Sequence, residues 1–381
     1  MPGIYVHIPF CRAKCPYCDF LSYPIHSYVK NGGVSAVLDA MEHEIELWSR
    51  HSDSRGLVYD TLFIGGGTPS LIAADSIIKI VNRLKSCFLW KEDTEFTVEV
   101  NPESLNKDWL YKLLDVGLTR LSIGVQDLTQ KGLKALGRLH GADEALQAIE
   151  LAQGTESLEV SVDLIYNWPG QSAIDLDHTL SVLSSCLPEH ISAYELNIEP
   201  RTPFYRAYCR NELSLPEDEV ADNIYLSLMD WMSKHNYVRY EISNFCRDGH
   251  ICRHNMNYWK NGPYLGIGPA AASFLPPKRG VNPGGIRSYT DSVKNGVPVW
   301  SDVEILDSEA RFRESVMLAL RTVQGIDLKE MESRWGYDTL AYYGHRIDRL
   351  TGDGLLRIEG GRMFLTHRGI RFSNIVFREL I

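Results

Sequence analysis

The chain opens on an alternation. Ile4, Val6 and Ile8 take turns with Tyr5 and His7, which is the two-residue period of a strand. From Ser35 to Trp48, Val37, Met41, Ile45 and Trp48 recur at helical spacing. Thr61 to Ile64 then reads as a short buried strand, and Phe96 to Val100 as the next, ended by Asn101-Pro102. Further on, helices are expected over Asn106 to Val116, Asp143 to Gln153, Ala173 to Ser184 and Glu217 to Lys234. Strands are expected over Arg120 to Gln126, Leu158 to Tyr166, His190 to Ile198 and Val238 to Ile242. Strand and helix thus alternate about six times in roughly the first 240 residues. That order implies an α/β fold with a parallel sheet and right-handed crossovers.

The pattern then changes. Pro276 to Gly285 is rich in Pro and Gly and reads as a linker or long loop. Helices follow over Ser308 to Arg321, Leu328 to Trp335 and Asp338 to Leu350. Leu355 to Ile358 and Met363 to Leu365, around Glu359-Gly360-Gly361, form a hairpin, and Thr366 caps a last helix to about Glu379. Three helices, a hairpin and a helix make a winged-helix-like α+β unit. Residues 305–381 hold 12 Lys and Arg against 11 Asp and Glu, so this unit lacks the basic footprint of a DNA binder.

Length and composition narrow the class. With 381 residues there is room for one large domain and a small one. A hydrophobic share of 44% and a charged share of 23% are those of an ordinary globular protein. The formal net charge of −10 argues against general nucleic-acid binding. No apolar run approaches the roughly 18–20 residues of a membrane span. Eight cysteines without a signal peptide point to a reducing compartment, and a cytoplasmic protein is expected.

Three of those cysteines, Cys11, Cys15 and Cys18, follow the first strand at C-x3-C-x2-C spacing. A disulfide is disfavoured by the odd number. Structural zinc wants four ligands, usually in two pairs, and no second C-x2-C follows. An iron–sulfur cluster normally takes four cysteines, so three would leave one iron open to another ligand. Downstream, the buried strand runs into Gly65-Gly66-Gly67-Thr68-Pro69, either a plain turn or a close backbone approach to a ligand. Glu99, Gln126 and Asp163 lie in or at the ends of strands, where sites are built in such folds. Arg138 is suited to pair a carboxylate at two points, or is a surface residue. A second crowded stretch holds Cys246, His250, Cys252 and His254, which reads as a metal site or as an incidental loop.

The cysteine spacing resembles that of the radical SAM superfamily. There, three cysteines hold a 4Fe–4S cluster, and S-adenosylmethionine (SAM) chelates its fourth iron. Tyr17 between the last two cysteines is common in that superfamily. The resemblance implies a partial (β/α)6 radical SAM barrel, with metal ligands Cys11, Cys15 and Cys18. It implies a SAM pocket of Tyr5, Tyr17, Gly66, Gly67, Thr68, Glu99, Gln126, Arg138 and Asp163. Gly266 and Ile267 would approach the adenine or ribose. Cys18-Asp19-Phe20 refines the resemblance. Oxygen-independent coproporphyrinogen III oxidases carry another cysteine where Phe20 stands, whereas the related HemW-type heme chaperones typically carry Phe. The oxidases also extend further before the cysteine loop, an extension expected to be absent here.

His254-Asn255-Met256-Asn257-Tyr258-Trp259 is similar to the HNxxYW motif of the HemW-type proteins, there linked to heme. Imidazole is an ordinary axial ligand of heme iron, and Tyr258 and Trp259 offer flat apolar surface to a porphyrin. His254 is the implied ligand, with Cys252 its rival. Two departures stand out. Glu199-Pro200-Arg201-Thr202-Pro203-Phe204 has Arg201 where the family commonly has Gly, and Pro269 and Ala272 replace a small residue and a histidine.

The expected organisation is a barrel over residues 1–240, a connection carrying the HNxxYW segment over 241–300, and a HemN-type C-terminal domain over 301–381. The expected function is a heme chaperone that passes heme to acceptor hemoproteins, such as membrane-associated respiratory enzymes. The alternative is a coproporphyrinogen III oxidase, against which Phe20 stands. A zinc-dependent regulator fits neither the charge balance nor the GGGTP segment.

Overall fold

The computed structural model describes residues 2–29, 33–296 and 300–381. Six strands carry the alternation: β1 (Gly3–Ile8), β2 (Val58–Gly66), β3 (Leu89–Val100), β4 (Arg120–Gln126), β5 (Glu159–Tyr166) and β6 (His190–Glu195). They lie side by side in chain order and pair in parallel, as right-handed crossovers dictate. Helices α1 (Gly33–Arg50), α2 (Ala74–Cys87), α3 (Lys107–Leu114), α4 (Ala142–Gln153) and α5 (Ala173–Leu183) connect strands within this set, and α6 (Asp218–Lys234) follows β6. Apolar stripes such as Val37, Met41, Ile45 and Trp48 of α1 are buried in the core, as are Ile4, Val6 and Ile8. The expected α/β partial barrel is therefore the observed one.

The sheet continues beyond it on both sides. Next to β6 lie β8 (Asn244–Cys246) and then β7 (Val238–Arg239), both antiparallel. The strand expected over Val238 to Ile242 is thus short and lies at the sheet's edge, antiparallel to β8 and so in the same sense as β6. Next to β1, β9 (Tyr264–Ile267) adds a seventh parallel strand. It is followed by the antiparallel β10 (Ala272–Leu275), β11 (Lys278–Val281) and β12 (Asp302–Ile305). The linker expected over Pro276 to Gly285 is therefore corrected in its first half. Pro276 and Pro277 sit at a hairpin tip, where the ladder asks for no donor, and the chain at once re-enters the sheet.

A buried carboxylate ties this extension down. Glu44 of α1 accepts from the Gly268 N–H (2.8 Å), Asn282 Nδ2 (2.7 Å) and Oη of Tyr289 (2.6 Å) in α8 (Ile286–Lys294). Burial pushes its carboxyl up to about 7, against these stabilising bonds.

The C-terminal part has its own apolar cluster, including Phe312, Val316, Ile347, Met363 and Phe377. Its sheet runs β13 (Ile326–Asp327), β15 (Arg362–Leu365), β14 (Leu356–Glu359), so the expected hairpin is present. The helix expected over Asp338 to Leu350 is broken at Gly344, whose φ of +47° no helix accommodates. No helix among the described residues is long and apolar enough to cross a membrane.

Candidate cofactor-binding site

The C-terminal strand ends converge on one cavity of about 600 Å³. Its wall includes Cys11, Cys15 and Cys18 with Tyr17, and also Gly66, Gly67, Thr68, Glu99, Gln126, Arg138 and Asp163. These residues span more than 150 positions of sequence. Among the described residues, no three His, Cys, Asp or Glu side chains meet at the spacing of a single bound ion; the three thiols face the shared cavity instead.

Backbone bonds set the cysteine loop. After β1, Phe10–Cys11 pairs in parallel with Tyr23–Pro24. The Tyr23 N–H donates to Pro9 O (2.8 Å), and the Cys18 N–H to Cys15 O (3.1 Å). The glycine turn locks onto this loop through Gly67 N–H to Ile8 O (2.8 Å) and Thr68 N–H to Phe10 O (2.7 Å). Gly66 has φ +104°, and a Cβ there would strike the His7 ring. A Cβ on Gly67 would strike the carbonyls of Phe10 and Ile8. Space requires glycine at both positions, and the positive φ requires it at Gly66 as well.

The electrostatics divide the cavity. On the floor, Glu99 accepts from the Gly66 N–H (3.0 Å), and Asp163 from Ser122 Oγ (3.2 Å). Burial, with Asp163 nearby, pushes the Glu99 carboxyl up to about 7; burial pushes Asp163 up to about 6. On the wall, Arg138 Nη2 donates to Asn101 Oδ1 (2.7 Å) and Gly124 O (2.8 Å), and its Nη1 to Cys15 Sγ (3.6 Å). Its Nε is buried with no partner in the fold. Thr68 Oγ1 donates to Cys11 Sγ (3.6 Å). Burial raises the Cys11 and Cys18 thiols, so bare thiolates are disfavoured there. An anionic floor facing a cationic wall complements a ligand that carries both an ammonium or sulfonium and a carboxylate. The donor set fits the cluster and the zwitterionic sulfonium expected from the sequence.

Gln126 reaches the cavity through a break in register. The β4–β5 ladder shifts between Ile123 and Gln126, and Gln126 takes φ +67°. A bulge re-aims a strand's last side chain in this way.

Three expected residues lie elsewhere. Tyr5 does not line the cavity: its hydroxyl meets His7 Nδ1 (3.0 Å), and His7 Nε2 donates to Leu21 O (2.8 Å), one layer beneath the glycine turn. Gly266 and Ile267 are the last two residues of β9, both buried, and do not enter the cavity wall. Sequence reasoning in turn missed Asn101, which joins Thr68 Oγ1 (3.1 Å) to Arg138. It also missed Ser122, Tyr194 and Glu195. Asn101 and Glu195 stand at strand ends, the signal that singled out Gln126.

The HNMNYW segment forms α7 (Arg253–Trp259) at the opposite end of the barrel. Glu95 of β3 accepts from the N–H groups of Arg253 (2.9 Å) and His254 (2.9 Å), capping the helix. His254 is 1% exposed and stacks on Phe63 at 5.1 Å. Its Nδ1 meets Thr61 Oγ1 (2.7 Å), and its Nε2 meets Tyr258 Oη (2.9 Å). Burial lowers the imidazole to about 3, so it is neutral. Neither ring nitrogen is free in this arrangement. Cys252 is equally enclosed, and burial raises its thiol. Between the cavity floor of Glu99 and Asp163 and the start of α7 at Cys252 lies a polar chamber of about 100 Å³, reached by Arg120, His190 and Ser161.

Comparison with known proteins agrees with this architecture. The Radical SAM superfamily model matches residues 5–183, and the HemN C-terminal domain model residues 306–372. The heme chaperone HemW of Bacillus subtilis is 32% identical over 379 residues, covering 99% of this chain and 98% of its own length. HemW of Mycobacterium tuberculosis is 33% identical over 381 residues, covering 100% and 94%. Among solved structures, the coproporphyrinogen III oxidase HemN of Escherichia coli, a radical SAM enzyme, superposes with a TM-score of 0.84. It is 22% identical and the match covers 100% of this chain and 89% of HemN. At that identity the likeness is one of fold. Full-length identity to these relatives, with three thiols, a glycine turn and a split electrostatic cavity at the strand ends, means that the chain belongs to the HemW family of the radical SAM superfamily.

Proposed function

We propose that this protein is a cytoplasmic heme chaperone with a SAM-binding 4Fe–4S cluster, and that it hands heme to acceptor hemoproteins. One observation carries the cofactor reading: three thiols, the buried carboxylates of Glu99 and Asp163 and the Arg138 guanidinium line a single cavity. Bound there, the cluster would supply an iron whose open position SAM chelates. Cys11, Cys15 and Cys18 hold it. Arg138 orients the SAM carboxylate, while Glu99 and Asp163 hold the cationic part. Thr68 and Asn101 keep Arg138 and the cysteine loop in register.

The chaperone reading rests on the HemW relatives and on Phe20, which is 70% exposed at the cavity rim where the oxidases carry a further cysteine. His254 is the proposed axial ligand, and Tyr258 and Trp259 the proposed porphyrin surface. Anaerobic reconstitution should give about four irons per chain, and the triple alanine variant at Cys11, Cys15 and Cys18 none. Hemin should give the protein a shifted Soret band that His254→Ala loses. Turnover of coproporphyrinogen III to protoporphyrinogen with SAM and a reductant would overthrow the chaperone reading in favour of the oxidase.

A further inference from the structure

The proposed ligand His254 is closed off by bonds that can be counted. A neutral imidazole has one lone pair. If Nδ1 carries the proton, the Nε2 lone pair accepts from the Tyr258 hydroxyl; if Nε2 carries it, the Nδ1 lone pair accepts from Thr61. Either tautomer leaves nothing for a metal. The two partners differ in kind. Thr61 is fixed in β2 at the barrel's base and is 1% exposed. Tyr258 is on the same helix as His254, four residues on, and is less deeply buried. Moving Tyr258 therefore frees Nε2, while Thr61 stays to accept from Nδ1–H, the arrangement that orients a metal-binding histidine.

The helix itself must also move, because His254 is 1% exposed. Its far end is gripped by the C-terminal part. Asn261 Nδ2 donates to Ser315 Oγ (3.0 Å) in α9 (Ser308–Ala319), and the Arg321 guanidinium lies 4.4 Å from the Trp259 ring.

We propose that α7 is a gate for an iron porphyrin: Tyr258 occupies the His254 nitrogen that iron would take, and the C-terminal part, through Asn261–Ser315 and Arg321–Trp259, holds the helix shut. This rests on the heme reading above. Tyr258 is then a positioning residue, which governs when His254 can bind. Displacement of the C-terminal part is the step that admits the porphyrin.

The test uses the full chain with its cluster reconstituted, mixed rapidly with hemin and, in parallel, with metal-free protoporphyrin IX. Tyr258→Phe removes one hydroxyl and one hydrogen bond, so hemin should bind at least about fivefold faster or tighter than to wild type. Metal-free protoporphyrin should not distinguish the two proteins, because it needs no ligand. Asn261→Ala, away from the ring nitrogens, should also speed hemin binding, and it keeps the test informative if Tyr258→Phe folds poorly. His254→Ala should lose the histidine-ligated Soret band. Hemin binding that is equally fast in wild type, Tyr258→Phe and Asn261→Ala would overturn the gate and leave the chaperone reading standing. A gain in Tyr258→Phe with metal-free protoporphyrin equal to that with hemin would also overturn it, whereas Asn261→Ala, which loosens the helix itself, should speed both. Failure of wild type and every variant to bind hemin would sink the chaperone reading itself.

Discussion

Gly67→Ala isolates the contact between the glycine turn and the cysteine loop. The added methyl would meet Phe10 O and come within 2.8 Å of Ile8 O. Both obstacles are backbone atoms, which cannot rotate away. The turn must therefore lift off the loop, and two bonds are at stake: Gly67 N–H to Ile8 O and Thr68 N–H to Phe10 O. Overpacking costs about 1–3 kcal/mol, and each backbone bond lost adds about 1 kcal/mol. The sum is about 3–5 kcal/mol, a large part of the roughly 5–15 kcal/mol by which domains are stable. Cys11 follows Phe10 directly, so the same displacement moves a thiol of the proposed cluster site. Gly352→Ala is the control: it ends a helix, meets nothing within 4 Å, and should be neutral or stabilising by up to about 1 kcal/mol. Urea unfolding and iron content after anaerobic reconstitution read both effects. Wild-type stability and iron content in Gly67→Ala would refute the claim that this turn sets the loop.

Two further outcomes follow from other contacts. Glu99 and Asp163 have their carboxyls pushed up to about 7 and about 6 from 4.5 and 3.8. The folded chain therefore holds these protons more tightly than the unfolded chain, so their contribution to stability is full below about pH 4 and is lost as pH rises through 6 and 7. Binding a cation needs the ionised form, so SAM affinity measured by calorimetry should rise about tenfold from pH 6 to 8. It should be weaker in Glu99→Gln and rise no more than about twofold there, through Asp163 alone, and a flat wild-type profile would contradict the assignment. Arg371 donates to Glu195 (2.7 Å) and Asp222 (2.9 Å) and lies over Tyr225 at 5.2 Å. Arg371→Met should cost about 1–2 kcal/mol, since the acceptors are partly exposed, and should speed proteolysis of the C-terminal part; an unchanged digestion rate would show that this tie does not hold it.

What the sequence revealed divides by range. The six parallel strands and their order follow from local period and crossover rules, and most of the cavity set follows from residues at strand ends. In the sequence Asn101 marks only the end of a strand, because its partner Arg138 lies 37 residues away. The hairpin at Pro276-Pro277 was hidden for the opposite reason: prolines that mark a linker equally mark the tip of a strand pair. Gly344 breaks a helix whose polar and apolar pattern runs on through it. The enclosure of His254 was out of reach altogether, since Thr61 and Phe63 come from a strand nearly 200 residues earlier.

Strand β3 holds one more implication. Its lower part carries Glu95, which caps α7, and four residues on it carries Glu99, which faces the cavity. Those positions are separated by about 13 Å of extended chain, far enough that two substitutions would ordinarily add. Here they share one stiff element paired on both sides. A double-mutant cycle between Glu95 and Glu99, read as SAM affinity, should therefore leave a residual coupling where distance alone would predict none. The two ends of the barrel would then be thermodynamically one site.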